Sequence, residues 1–198
     1  MADIDAKTVM ELRKQTGAGM MDCKKALQEC DGDVEKALDH LRKAGIAKAA
    51  KKATREVKDG RIHPYIHAGA KLGVLVEVDC ETDFVARTDD FVQFCNDVAM
   101  HIAAEDPLAI NVEDLDSNLV EKEKEIYKEQ ARQTGKPENI LDKIIEGKIE
   151  KFFDDTVLLR QKFIKDTDRT VEDVLKALIA KLGENIQIAR FVRYKIGE

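Results

Sequence analysis

The chain has 198 residues, 43% of them hydrophobic, enough for one large domain or a small one plus a medium one around a packed core. A net charge of −6 argues against a general nucleic-acid binder, and no stretch approaches the roughly 18 apolar residues of a membrane span. Cys23, Cys30, Cys80 and Cys95 show no CxxC spacing, so they read as small buried apolar residues of a reducing compartment, not as a zinc or redox site.

Charged residues make up 36% of the chain, which suggests long, solvated helices. They are unevenly spread. Arg42 to Lys58 holds seven basic residues against one acid, whereas Glu77 to Glu129 holds sixteen acids against four bases. A basic connector beside an acidic face suits docking onto another protein. The start, MADIDAKTVMELRK, has no apolar run behind a basic stretch and carries acids. That argues against a secretory signal and a transit peptide, and a cytoplasmic chain is expected.

In chain order, three short helices come first. Val9 and Leu12 begin one that Thr16-Gly17-Ala18-Gly19 ends. Cys23, Ala26, Leu27 and Cys30 fall at i, i+3, i+4 and i+7, on one helical face. Asp31-Gly32-Asp33 is a turn, and Val34, Ala37, Leu38 and Leu41 repeat the spacing until Gly45 stops that helix. A module this small buries little, and its remaining apolar surface serves a partner or the rest of the chain. Residues 46–60 are a basic, Ala-rich linker, helical or loosely ordered, ending near Asp59-Gly60.

The clearest strand follows, with Leu72, Val74, Val76, Val78 and Cys80 in alternation and Glu77, Asp79, Glu81 and Asp83 on the opposite face. Residues 61–68 form the strand before it and residues 185–196 a third. Helices fill the interval. Phe91, Phe94, Cys95, Val98 and Ile102 make a stripe, with Thr88 as N-cap and Pro107 as the end. Residues 113–134 form a very charged helix, and Pro137 opens another that runs to about Asp154. Thr170-x-x-Asp173 resembles a capping box before Val171, Val174, Leu175, Leu178 and Leu182, which point inward, and Gly183 stops that helix. Strands at both ends with helices between them imply an α+β core with a small, mostly antiparallel sheet packed with helices.

Two segments stand out. In Thr16-Gly17-Ala18-Gly19-Met20-Met21-Asp22-Cys23-Lys24 the glycines expose backbone, and adjacent methionines cannot both face one small core. Either both fill gaps in the three-helix core or at least one remains a soft contact. In Glu81-Thr82-Asp83-Phe84-Val85-Ala86-Arg87, on a strand-to-helix loop, Phe84 either projects as a rigid apolar wedge beside a carboxylate or tucks back as a staple for the next helix. The acid row could hold a hard metal, but such sites draw ligands from several elements, and a solvated strand face is the simpler reading. His63 and His67, on one face of the preceding strand, lack the companions of a zinc site. The phosphate loop GxxxxGK[ST], the dinucleotide fingerprint GxGxxG and the nucleophile elbow GxSxG are all absent, and no nucleophile–base pair suggests itself. The residues alone give a helical module plus an α+β domain that binds a partner. A generic helical-ligand adaptor and a metal-dependent hydrolase using the acid row with His63 or His67 are the rival classes.

TGAGMMDCKKAL and ETDFVAR, in that order and separated by the basic stretch AKAAKK, resemble the two signatures of the elongation factor Ts family. MHIAAEDP, QTGKPENI and GENIQIARF match as well, so the resemblance covers nearly the whole chain. It implies a ubiquitin-associated-like three-helix module with the basic linker over residues 1–55 and an α+β dimerisation core over residues 56–198. The chain resembles short members with a single core module, in which two copies pair. The family's function would be to bind elongation factor Tu carrying GDP and to promote release of GDP and Mg²⁺, without covalent chemistry and without a cofactor or metal of its own. Neither nucleic acid nor membrane would be bound directly. Carried over by residue, Met20, Met21 and Lys24 would touch the GTPase's nucleotide-binding domain. Asp83 and Phe84, flanked by Thr82 and Val85, would be the wedge, and His67 resembles a family histidine near a second contact surface.

Overall fold

The computed structural model describes residues 4–133 and 138–197. The fold is α+β: among the described residues there are eight α-helices, a small antiparallel sheet of three strands and a separate two-stranded pair. Contacts group the chain into two compact units, Met1–His63 with Glu77–Asn96 and Asp173–Ala189, and Pro64–Val76 with Asp97–Glu172 and Arg190–Glu198.

The first unit opens with α1 (Ala6–Thr16), α2 (Met20–Glu29) and α3 (Val34–Ala50). Val9, Leu12, Cys23, Ala26, Leu27 and Ala37 form their shared core, with Cys30, Val34, Leu38 and Leu41 partly buried around it, as the helical spacing predicts. The Asp33 carboxylate accepts the Lys36 N–H at 3.1 Å and caps α3, an interaction worth about 1 kcal/mol. Gly45 does not stop α3, which runs on to Ala50 and takes in the first part of the basic segment. The residues around it are alanines, lysines and an isoleucine, and one glycine costs a helix only about 1 kcal/mol. Gly45 also lies against Ala180, whose Cβ would sit 3.5 Å from a Cβ at that position.

The sheet has the order β1-β2-β5, with β1 at Asp59–Ile66, β2 at Leu72–Cys80 and β5 at Ile186–Lys195. Central β2 buries Val74, Val76, Val78 and Cys80 in the predicted alternation. Gly60, the second residue of β1, lies tight against β2: a Cβ there would meet the Val78 carbonyl oxygen at 2.4 Å. The acid row is broken. The strand ends at Cys80, so only Glu77 and Asp79 share a strand face. Glu81 turns to accept the Asn185 N–H at 2.6 Å, and Asp83 enters a helical turn and pairs with Arg87 at 2.8 Å.

After that turn comes α5 (Asp89–Glu105), with Phe91, Phe94, Cys95, Val98 and Ile102 all buried. Thr88 Oγ1 accepts the Phe91 N–H at 3.3 Å, the cap expected there. Near the C-terminus, α8 (Val171–Leu182) buries Val171, Leu175, Leu178 and Ile179, while Val174 and Leu182, expected inward, are only half-buried.

In the second unit, α6 (Ser117–Arg132) begins later than the charge pattern suggests. Val112–Asp114 instead forms a 3₁₀ turn, and the Asp116 carboxylate caps α6 by accepting the Asn118 N–H at 2.9 Å. α7 spans Glu138–Thr156; Pro137, expected near its start, lies outside the described residues. Ala109, Leu115 and Val157 form a core with Phe152 and Phe153 packed on it. The antiparallel pair β3 (Lys162–Phe163) and β4 (Asp166–Thr170) was not foreseen from the sequence, because β3 has two residues, too few to show a period, and β4 is polar throughout, with no apolar alternation. Beside it, buried His101 accepts the Ile164 N–H at Nδ1, 3.4 Å. Its Nε2 therefore carries the proton and donates to Gln161 Oε1 at 3.0 Å.

Candidate partner-binding site

The first signature segment is a helix junction. Gly17 closes α1 in the left-handed conformation, φ 67°, with its N–H donating to the Arg13 carbonyl. Thr16 fixes the loop: its hydroxyl donates to the Leu12 carbonyl at 2.8 Å and accepts the Ala18 N–H at 3.2 Å. α2 starts at Met20 and turns Cys23, Ala26 and Leu27 inward. Met20, Met21 and Lys24, at i, i+1 and i+4, therefore occupy one outer side. Met21 is 75% exposed and Met20 42%, so both methionines stay available and neither fills the three-helix core. Lys24 is exposed too, and Asp22 beside it pairs with Lys48 at 2.8 Å.

The second segment is not a loop. Asp83–Ala86 forms a single helical turn, α4, between β2 and α5. Thr82 heads it, with its hydroxyl oxygen accepting the Val85 N–H at 3.5 Å. Ala86 is buried beneath the turn and Val85 half-buried. Phe84 lies on its outer side, 79% exposed. The staple alternative for Phe84 is thereby excluded: the ring stays in solvent, whereas Phe91 and Phe94 of the following helix are buried. Leaving a ring in water forgoes about 1.5–3 kcal/mol that burial would contribute. Arg87 pairs with Asp83 at 2.8 Å, so the carboxylate beside the ring carries its own counter-charge.

The turn is held from the segment just past α8. Thr82 donates its N–H to Glu184 Oε2 at 3.0 Å and its hydroxyl to Glu184 Oε1 at 2.7 Å. The Cys80 thiol donates to the Thr82 carbonyl at 3.1 Å. Burial pushes that thiol up to about 11, helped by the Glu184 carboxylate, so it stays a protonated donor. Asn185, buried, donates from Nδ2 to the carbonyls of Arg55 at 2.8 Å and Ala53 at 3.4 Å. Glu184 and Asn185 escaped sequence reasoning because their partners are 102 to 132 positions away in the chain. The only signal was a polar pair placed between a helix-stopping glycine and an apolar strand.

Met20, Met21, Lys24, Thr82, Asp83, Phe84 and Val85 all fall in the first unit, and His67 falls in the second. There His67 begins the turn between β1 and β2, exposed, with the Tyr65 hydroxyl 3.0 Å from its Nδ1. Among the described residues no group of three His, Cys, Asp or Glu side chains could hold a metal ion, and no helix is long and apolar enough to cross a membrane.

The family model described as elongation factor TS matches residues 43–198, which include the Phe84 turn. The chain belongs to the elongation factor Ts family. Elongation factor Ts of Thermosipho melanesiensis is 56% identical over 195 residues, 98% of this chain and 100% of that protein. The Geobacter metallireducens protein of the same name is 58% identical over 195 residues, 98% of this chain and 90% of its own length. That of Desulfosudis oleivorans is 53% identical over 198 residues, the full length of both. Similarity thus runs past the matched model range and over the N-terminal helices. An elongation factor Ts role in translation follows from membership.

Proposed function

We propose that this chain is the guanine-nucleotide exchange factor of its translation system: it binds elongation factor Tu carrying GDP and promotes release of GDP and Mg²⁺ so that GTP can bind. The observation that supports this best is the 79% exposed Phe84 beside Asp83 on a braced turn, in a chain of this family. The protein keeps an aromatic ring out of its own core, and aromatic side chains, phenylalanine among them, are enriched at the buried centres of protein interfaces.

Thr82, Asp83, Phe84 and Val85 form the wedge, and Met20, Met21 and Lys24 dock on the nucleotide-binding domain of the GTPase. His67 belongs to a second contact. Residues 1–55 act as a ubiquitin-associated-like module with its basic linker, and 56–198 as the dimerisation core. The exposed Ile66, Leu75, Val192 and Tyr194 on the three sheet strands, with Ile196 just past the last of them, give the core apolar surface for a second copy. The chain acts in the cytoplasm, binds neither nucleic acid nor membrane directly, and makes and breaks no covalent bond.

The physics is linkage. A factor that binds the nucleotide-free GTPase more tightly than the GDP-bound form weakens GDP by the same ratio. Moving such an equilibrium by about 10⁴ takes roughly 5.5 kcal/mol of differential binding. One buried phenylalanine supplies about 1.5–3 kcal/mol, so the wider docking surface must carry the remainder. The immobilised chain should therefore retain purified elongation factor Tu in nucleotide-free buffer and lose it on addition of GDP. Retention indifferent to GDP would contradict the linkage.

A further inference from the structure

We infer that Glu184 is a positioning residue for nucleotide exchange: its carboxylate grips Thr82 at two points and fixes the direction in which Phe84 projects. This role rests on the exchange reading above.

The geometry is specific. A one-turn helix of four residues cannot hold its own direction, since forming the first helical turn is unfavourable without outside support. Every polar group of Thr82 is engaged: the N–H and hydroxyl proton by Glu184, the hydroxyl oxygen by the Val85 N–H, and the carbonyl by the Cys80 thiol and the Ala86 N–H at 3.3 Å. Both carboxylate oxygens of Glu184 are used, at 2.7 and 3.0 Å, which fixes angle as well as distance. Glu184 is itself held. Gly183 ends α8 with its N–H on the Ile179 carbonyl, the Gly183 carbonyl accepts from Lys52, and the next residue, Asn185, is 1% exposed with three hydrogen bonds. Phe84 itself is 79% exposed, so its own packing contributes little to its direction. A wedge that must enter another protein at a fixed angle needs such support, because a displacement of about 1 Å can cost up to 10²-fold in rate.

The test is the rate of fluorescent-GDP release from elongation factor Tu at saturating factor, for wild type, Glu184→Ala, Glu184→Gln, Phe84→Ala and the double variant Glu184→Ala/Phe84→Ala. Glutamine can still accept the Thr82 hydroxyl, but its amide nitrogen cannot accept the Thr82 N–H. Glu184→Ala is expected to slow release about tenfold. Glu184→Gln should fall between alanine and wild type, and it serves alone if the alanine variant does not fold. On the Phe84→Ala background the Glu184→Ala change should have almost no further effect, since positioning acts only through the ring. An equal fold-loss on both backgrounds, or a wild-type rate for Glu184→Ala and Glu184→Gln alike, overturns the inference while leaving the exchange activity standing. Wild-type protein that does not speed release at all overturns the exchange reading itself, and the positioning role with it.

Discussion

Lys181 on α8 donates from Nζ to Asp90 Oδ1 at 2.6 Å while its stem covers Gly17, where a Cβ would lie 3.2 Å from the lysine Cδ. One side chain thus touches the loop that precedes the methionine pair and the start of the helix that follows the Phe84 turn. With Glu184 on Thr82, the end of α8 and the segment just past it support both candidate contact segments. Gly17 has φ 67°, where a side chain costs about 1–2 kcal/mol. Gly17→Ala should lower stability by about that amount in urea titration. An unchanged midpoint would show that the loop is not constrained.

Gly60→Ala should be costlier in kind, because the obstacle is backbone. The added Cβ would meet the Val78 oxygen at 2.4 Å and the Asp79 Cα at 2.7 Å, neither of which can rotate away. Overpacking of this sort costs about 1–3 kcal/mol, and thermal unfolding measures it.

Two phenylalanines seven positions apart should behave oppositely. Phe91 is fully buried and Phe84 79% exposed. Phe91→Ala should lose about 3–5 kcal/mol, whereas Phe84→Ala should stay within about 0.5 kcal/mol of wild type. Equal losses would mean that the Phe84 ring is packed in solution.

The sequence could not decide between these fates for Phe84. Periodicity reports which residues share a face of an element, and it therefore placed the core of α1–α3, the alternation of β2 and the stripe of α5 correctly. Phe84 sits on a single turn, too short to show a period, and its exposure depends on what else fills the space beneath. Gly45 misled because a glycine marks a helix end only when its neighbours agree, and here they were alanines and lysines. The row from Glu77 to Asp83 misled because alternation continued in the letters past the point where Thr82 turns the chain. The supports at Lys181 and Glu184 were illegible for another reason: each joins positions 91 or 102 apart, and no local pattern encodes such a pair.

Burial holds the His101 imidazole below its ordinary 6.5, against the opposing influence of the Gln161 hydrogen bond and the Glu105 charge. The unfolded chain therefore binds a proton at higher pH than the folded one. Stability from this residue is complete above 6.5 and falls as pH drops below that value toward the depressed folded pKa, with a slope of at most about 1.4 kcal/mol per pH unit. Comparing unfolding free energies of wild type and His101→Gln between about pH 7 and 5.5 isolates it. Parallel profiles would mean that His101 does not titrate with folding.

The central claim is that an outward ring on this fold opens another protein's nucleotide site. Stopped-flow release of fluorescent GDP from elongation factor Tu tests it most directly. Wild-type chain should accelerate release strongly, and Phe84→Ala, equally folded, should lose about tenfold or more of that acceleration. Release unaffected by the wild-type chain, or equally fast with both proteins, would contradict it.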